Sequence, residues 1–356
     1  MIWSLDLWRI PAVVFAMAKK LSWGIMTTGW IARKFVTDLR QSRTGELAAV
    51  GARSLADAQK FAADFGGANA HGSYDALLAD PAVEAVYIGT PHPWHAEWAI
   101  KAAAAGKHIL CEKPLTLSLA DTERVLAAAK QHNVLLMEAY MYRFHPQTRK
   151  VVEWVRSGAI GEVRLIRASF NIQMDFNPEH RMFKKSLGGG TILDLGCYPV
   201  TYSRHIAGAV QGKEFVEPVE FHGTGHVRPE MGTDDFATAV AKFDGGIVAE
   251  LSCGATMLND NSVQIYGTTG WIDVPQPFVP GLLGQDETIV LHRRGAAPEP
   301  LVIRSPGVGL YAYEADAFAE ALERGEREVP LATHADTLGT ARVLDRWLAA
   351  VGVTYP

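Results

Sequence analysis

Cysteine is scarce in this chain. Cys111, Cys197 and Cys253 are the only three in 356 residues, they lie far apart, and no CxxC pair exists. That gives no basis for a disulfide framework or a zinc knuckle, and it fits a reducing cytoplasm. Basic residues are also in deficit: 34 Lys and Arg against 39 Asp and Glu leave a formal net charge of -5. With no basic stripe either, the sequence speaks against nucleic acid as a partner. A long apolar run is missing. Met1 to Ala16 is apolar but interrupted by Asp6 and Arg9, too short for the roughly 20 residues a membrane helix needs and a poor signal peptide. Residues 1–16 are therefore expected to be an extension ahead of a start at Met17, and no membrane partner is expected. Twelve histidines form no HExxH pair, so no metal is expected. A GxSxG elbow, a P-loop lysine, internal repeats and low-complexity segments are all absent.

What is present is the composition of a globular protein, 48% hydrophobic and 21% charged. The length exceeds what one core usually serves, so two domains are expected, 17–146 and 147–356. From Leu21 to Glu138 short apolar runs alternate with segments of helical spacing. That rhythm predicts βαβ units and a mostly parallel, doubly wound sheet of α/β class. Beyond Pro146 a helix over 147–156 gives way to strand-like runs separated by turns such as Asp244-Gly245-Gly246. Their hairpin connections predict one mainly antiparallel sheet, closed by helices over 311–324 and 334–350, in an α+β second half.

The stretch Gly106-Lys107-His108-Ile109-Leu110-Cys111-Glu112-Lys113-Pro114 organises the first half. Its apolar run reads as a buried strand that Pro114 must end, which puts Glu112 and Lys113 at the carboxyl edge of the sheet, where open α/β sheets bind ligands. An ordinary surface lysine is the competing reading. The first turn, Gly24 to Ala32, partly fits the dinucleotide pattern G-x-G-x-x-G/A. Gly29 fills the second glycine and Ala32 the last small position, while Thr27 stands where the first glycine is expected and calls for a wider turn. The backbone from Thr27 through Thr28, Gly29, Trp30 and Ile31 to Ala32 is the candidate pyrophosphate cradle, although plain packing would also explain a Gly-Trp pair. The second strand ends in Arg53 and Ser54 instead of a carboxylate, which favours a 2′-phosphate and hence NADP(H) over NAD(H).

One helix interrupts the strands of the second half. Gly188-Gly189-Gly190 precedes Thr191-Ile192-Leu193-Asp194-Leu195-Gly196-Cys197-Tyr198. Thr191 and Asp194 are spaced as a capping box, and Asp194 and Tyr198 share one helix face. Three glycines allow close approach of backbone to a ligand or a neighbour. Capping by Asp194 and simple packing of Tyr198 are the alternatives to a catalytic role.

These segments, together with Thr90-Pro91-His92-Pro93-Trp94-His95 and the run Glu138 to Pro146, resemble the successive motifs of the glucose-fructose oxidoreductase/inositol dehydrogenase/MocA family over almost the whole chain from Met17. The resemblance implies a Rossmann domain followed by an open-faced sheet domain that commonly makes a homodimer. It implies that Lys113 is the active-site lysine, that Glu112, Thr90, Pro91 and His95 lie near the cofactor, and that Arg143 lies near the floor of the site. It also places Asp194 and Tyr198 opposite Lys113, with tyrosine as in the dihydrodiol and NADP-linked xylose dehydrogenase branch.

Hydride transfer to nicotinamide requires a base at the substrate hydroxyl. Tyr198 is the expected acid/base, Lys113 the cation that lowers its pKa, and Asp194 the group that orients a small polyhydroxylated substrate; Arg143 and His180 are weaker rim candidates. Two rivals are a redox-assisted glycosidase with tightly held cofactor and a non-catalytic NADP sensor. The second has no need for Lys113, Asp194 and Tyr198 together.

Overall fold

The computed structural model describes residues 19–305 and 307–355; the expected extension 1–16 and the start at Met17 lie outside them. The first half runs β1 (Leu21–Met26), α1 (Trp30–Leu39), β2 (Gly45–Gly51), α2 (Leu55–Asp64), β3 (Asn69–His71), α3 (Tyr74–Ala79), β4 (Ala85–Ile88), α4 (His95–Ala104), β5 (His108–Glu112), α5 (Leu119–Gln131) and β6 (Leu136–Ala139). All six strands are parallel, in the order β3-β2-β1-β4-β5-β6. The reversal lies between β1 and β4, which opens a crevice at their carboxyl ends. β1 and β4 are buried along their whole length, as a sheet covered on both faces requires. Ser54, Ser73 and Ser118 each cap the helix that follows them. β3 and α3 do not stand out in the sequence, because a three-residue strand and a helix of under two turns carry little periodic signal.

α6 (Pro146–Arg156) leads to β7 (Val163–Asn171), and a long connection then reaches α7 (Cys197–Val210). Seven strands follow: β8 (Glu220–Arg228), β9 (Thr233–Phe243), β10 (Ile247–Gly254), β11 (Ser262–Gly267), β12 (Gly270–Val274), β13 (Glu287–Arg293) and β14 (Glu299–Ile303). They join β7 in one sheet ordered β14-β13-β12-β11-β7-β10-β9-β8. The sheet is mainly antiparallel, as expected, with one parallel pair, β7 with β10. The connection through α7 enters the sheet at its far edge as β8, running in the direction of β7, and two hairpins then lay β10 beside β7 in parallel. Along β9 burial alternates strictly from Asp235 to Phe243, so one face of this sheet packs inward and the other is open.

α8 (Leu310–Glu323) and α9 (His334–Val351) return to the first half. Asp38 on α1 accepts from Tyr311 N at 3.1 Å, and Asp316 on α8 accepts from Ser42 Oγ at 2.6 Å and Thr44 Oγ1 at 2.7 Å. A single hydrophobic cluster runs from Trp23 and Phe35 through Tyr140 and Tyr198 to Trp347. The two sheets are therefore locked around shared core.

Candidate active site

β5 delivers Glu112 and Lys113 to the sheet edge, and buried partners set both. Glu112 accepts from Tyr87 Oη at 2.5 Å, and burial raises its pKa. The next turn is pinned from β6: Glu138 Oε1 accepts from Leu115 N at 2.8 Å. Burial pushes the Glu138 carboxyl up to about 7, against the hydrogen bond from Leu115 and the charge of Arg143.

The second half brings Asp194 to this edge. Ile192–Gly196 is a turn of π-helix running into α7. The expected capping box does not form, because Asp234 of β9 takes that place: it accepts from Thr191 Oγ1 at 2.6 Å and from Ile192 N at 2.7 Å. Asp194 is thereby free for longer-range contacts. Lys113 Nζ donates to Asp194 Oδ1 at 2.8 Å and to its backbone oxygen at 2.6 Å. On the other side Arg181 Nη2 donates to Asp194 Oδ2 at 3.0 Å. Burial opposes the charge on Asp194, but Lys113 and Arg181 outweigh it and hold the carboxyl well below the usual carboxylate range. Lys113 is pulled down by burial and raised further by Asp194, so it remains an ammonium.

Tyr198 does not meet the lysine as expected. Lys113 Nζ stands over the ring face, 4.9 Å from its centroid, while the hydroxyl points to Met141 Sδ at 3.8 Å. Burial, then Tyr311 and Glu112, raise the pKa of Tyr198 well above its ordinary value. The expected lowering by Lys113 is corrected accordingly: in this enclosed setting desolvation dominates, and the ammonium is engaged by Asp194.

Two other expectations change. Arg143, expected near the floor of the site, is committed to the fold: it is buried, ion-paired with Asp336, and donates to Leu331 O at 2.9 Å. Arg204 joins the same carboxylate at 2.6 Å, so this is a structural ion cluster at the start of α9. His180 faces its own turn, with Nδ1 accepting from Met182 N at 3.2 Å; its neighbour Arg181, half exposed, is the residue that reaches Asp194. Sequence reading missed Arg181 and also His92, whose Nε2 is 3.7 Å from Asp194 Oδ1. Burial lowers the His92 pKa to about 3, which Asp194 only partly offsets, so the ring is neutral. The available signal was the glycine run. An added Cβ on Gly188 would stand 2.9 Å from His92 Cβ, and one on Gly189 2.6 Å from Arg181 O. The close approach those glycines allow is to neighbours, and it presses His92 and Arg181 against Asp194.

The cradle lies at the carboxyl ends of β1 and β4. Gly29 begins α1 with no side-chain cap and no acidic residue in the first turn, and a Cβ there would meet only Thr27 Oγ1, at 3.7 Å. Thr28 and Ile31 are half-buried, Trp30 is 69% exposed, and Ala32 is buried against the core. Thr27 takes a positive φ of 91°, the glycine-like conformation, in place of the wider turn expected. Arg53 is exposed, whereas the Ser54 hydroxyl is spent on its cap, accepting from Asp57 N at 3.1 Å. Thr90 Oγ1 is buried with no hydrogen-bond partner among the described residues, and Pro91 is exposed beside it. His95 is fully buried, with Nε2 2.7 Å from Thr90 O and Nδ1 3.0 Å from Pro114 O. Its ring nitrogens tie the Thr90 and Lys113 loops together, so it positions the cradle. An uncapped helix start, an open glycine, an orphaned hydroxyl and an exposed arginine fit a bound dinucleotide phosphate.

Comparison with known proteins agrees with this geometry. Residues 21–140 match the oxidoreductase family with an NAD-binding Rossmann fold, and residues 148–273 match the GFO/IDH/MocA C-terminal domain. The trans-1,2-dihydrobenzene-1,2-diol dehydrogenase of Mus musculus is 32% identical over 341 residues, covering 94% of this chain and 98% of that protein. An uncharacterized oxidoreductase of Rhizobium meliloti is 34% identical, covering 90% and 94%. Among solved structures, a 3-ketoreductase from Actinomadura kijaniata in complex with NADP and TDP-benzene superposes with a TM-score of 0.82 at 29% identity, covering 94% of this chain and 98% of that one. The aldose-aldose oxidoreductase of Caulobacter crescentus reaches 0.83 at 25% identity, with the same coverage. With both halves matched and relatives above 30% identity along nearly their whole length, the chain belongs to the GFO/IDH/MocA family of oxidoreductases.

Proposed function

We propose that this oxidoreductase uses NADP(H) and moves a hydride between the nicotinamide and a CH–OH group of a sugar or a cyclic vicinal diol. The observation that carries this reading is the convergence of Lys113, Asp194 and Tyr198, from the two halves of the chain, at the mouth of the dinucleotide crevice. Relatives named for a dihydrodiol and neighbours named for sugar substrates support the substrate class. Exposed Arg53, with no carboxylate beside it, supports the phosphorylated cofactor.

The bound cofactor supplies the hydride chemistry; the residues of the chain handle position and proton. Asp194, kept ionised by Lys113 and Arg181, accepts hydrogen bonds from substrate hydroxyls. Lys113, held as an ammonium by Asp194, donates to the oxygen of the reacting carbon. Tyr198, a neutral phenol at rest because it is buried, gives its proton to that oxygen in reduction and becomes a phenolate; in oxidation that phenolate takes the proton of the substrate hydroxyl. His92, also neutral, lines the same carboxylate without adding charge. Enclosure of these groups keeps bulk water away from the reacting carbon.

The open face of the second sheet presents Phe236, Val240 and Trp271, each more than a third exposed. We read this face as the surface of a homodimer. Sedimentation of the protein and of Val240→Glu tests it: a dimer that the charge converts to monomer is expected, and a monomeric parent sinks it.

The activity itself is tested by following NADPH formation and consumption over pentoses, hexoses, inositols and a trans-dihydrodiol. Turnover confined to simple aliphatic alcohols defeats the substrate class. Hydrolysis of a glycoside without net NADPH formation would move the reading to a redox-assisted glycosidase.

A further inference from the structure

The chain that follows α9 returns to the active site. Gly352, with a φ of 77°, stops α9, and Val353 N closes the turn by donating to Leu348 O at 3.0 Å. Val353 is buried in the core and gives the residues after it a fixed point of departure. Two residues on, Tyr355 packs against the same core, and its Oη donates to Gly189 O.

Gly189 belongs to the strap that joins the Arg181 turn to Asp194. Gly189 N donates to Lys184 O at 3.1 Å and Gly190 N to Met182 O at 2.7 Å, which binds the strap to the turn carrying Arg181. Gly190 O in turn accepts from Asp194 N at 3.3 Å. The strap is walled in at both glycines. An added Cβ on Gly189 would meet Arg181 O at 2.6 Å, and one on Gly190 would meet Asp234 Oδ1 at 2.6 Å and Tyr355 Oη at 2.7 Å. Turn, strap and Asp194 are thus one hydrogen-bonded unit, and Tyr355 ties that unit to the core beneath α9. The product of this arrangement is the 3.0 Å contact of Arg181 Nη2 with Asp194 Oδ2.

We infer that Tyr355 is a positioning residue for the active site: by holding Gly189 it fixes the strap that sets Arg181 against Asp194, and so governs how firmly Asp194 receives substrate hydroxyls. Its action runs through those two side chains. The part that concerns substrate rests on the role given to Asp194 in the function proposed above. One neutral hydrogen bond of this kind corresponds to about two- to tenfold in an equilibrium constant.

The test compares the full chain with Tyr355→Phe, Arg181→Ala and the double variant. Two properties are read: KM and kcat on the best substrate of the NADPH screen, and backbone amide exchange of the ligand-free protein by mass spectrometry. Tyr355→Phe keeps the ring and removes only Oη, so the chain is expected to fold. It should raise the substrate KM about two- to tenfold, change kcat less, and leave NADPH affinity at the parent value. Arg181→Ala should raise the same KM by at least as much. Adding Tyr355→Phe to it should raise KM no further, because two changes that act through one contact are not additive. Amide exchange over residues 181–194 should speed up by a similar factor in Tyr355→Phe, while that over 108–115 stays at the parent rate. An unchanged KM in Tyr355→Phe, or effects of the two substitutions that multiply, overturns the inference and leaves Tyr355 as a stabiliser of the fold. Unchanged exchange over 181–194 overturns it as well. A parent that turns over none of the screened substrates defeats the proposed function instead, and the exchange comparison still decides whether Tyr355 holds the strap.

Discussion

Lys113 Nζ lies over the face of the Tyr198 ring, 4.9 Å from its centroid, and not against its hydroxyl. A cation in that position is attracted by the ring quadrupole, which steadies the ammonium and leaves the phenol neutral. The charge of Lys113 is met by Asp194. Proton donor, cation and anion are therefore three separate parts of the site, each held in one form.

A first consequence is the pH dependence. Burial raises the Tyr198 pKa, so the phenol is protonated throughout the neutral range. Carbonyl reduction, which uses that proton, should be level through neutral pH, while alcohol oxidation, which needs the deprotonated oxygen, should rise with pH. Profiles of kcat in both directions check this; an oxidation rate that falls on going from neutral to alkaline pH contradicts it.

Removing the hydroxyl isolates its role. Tyr198→Phe should lower turnover by roughly 10² to 10⁴, the usual worth of a general acid/base, and leave NADPH affinity near the parent value. The ring keeps its contacts with Phe170 and Phe278, so thermal stability should change little. Full turnover in this variant would assign the proton transfer to another group.

Asp194 has a structural cost attached to its chemistry. Asp194→Asn leaves Lys113 charged and enclosed without its counter-ion, and loss of one partner of a buried pair costs about 3–5 kcal/mol. Urea unfolding should show that loss, and Lys113→Met in the same chain should recover part of it. The pH sign follows from the lowered pKa of Asp194. Its stabilisation is present above the unfolded carboxylate value and is lost only as pH falls through the depressed folded value. The parent should therefore lose this contribution in strong acid, and the asparagine variant should not.

Glu138 acts in the opposite sense. Its carboxyl is raised to about 7, so its contribution is fully present below the unfolded value and lost as pH rises through 7. Ionising it inside the fold costs roughly 3 kcal/mol by the size of the shift. Glu138→Gln keeps an acceptor for Leu115 N and cannot ionise, so its stability should fall less between pH 5 and 9 than that of the parent. Parallel curves would show that Glu138 titrates normally.

Arg53 bears on cofactor choice. NADP(H) should bind more tightly than NAD(H), and Arg53→Ala should narrow the gap by weakening NADP(H) alone, because only the 2′-phosphate meets the guanidinium. Equal affinities in the parent would remove Arg53 from the site.

Much of this was legible in the residues themselves. The largely apolar strands at Leu21–Met26 and Ala85–Ile88 announce a sheet buried on both faces, and Pro114 marks where β5 must stop, so Lys113 reaches the sheet edge by local chemistry alone. The turn that starts α1 at Gly29 and the lack of a carboxylate at the end of β2 were likewise readable, since both are properties of short stretches. Tertiary structure decided the partners. Arg143 looks available until Asp336, nearly two hundred residues away, is seen to hold it, and Arg181 looks like a loop cation until Gly188–Gly190 fold it onto Asp194. Whether Lys113 lowers the Tyr198 pKa depends on which atom of the ring it approaches and on how much water is excluded, and spacing along the chain records neither. Local backbone preferences are written in neighbouring residues, whereas desolvation and charge pairing arise only when distant segments close on one another.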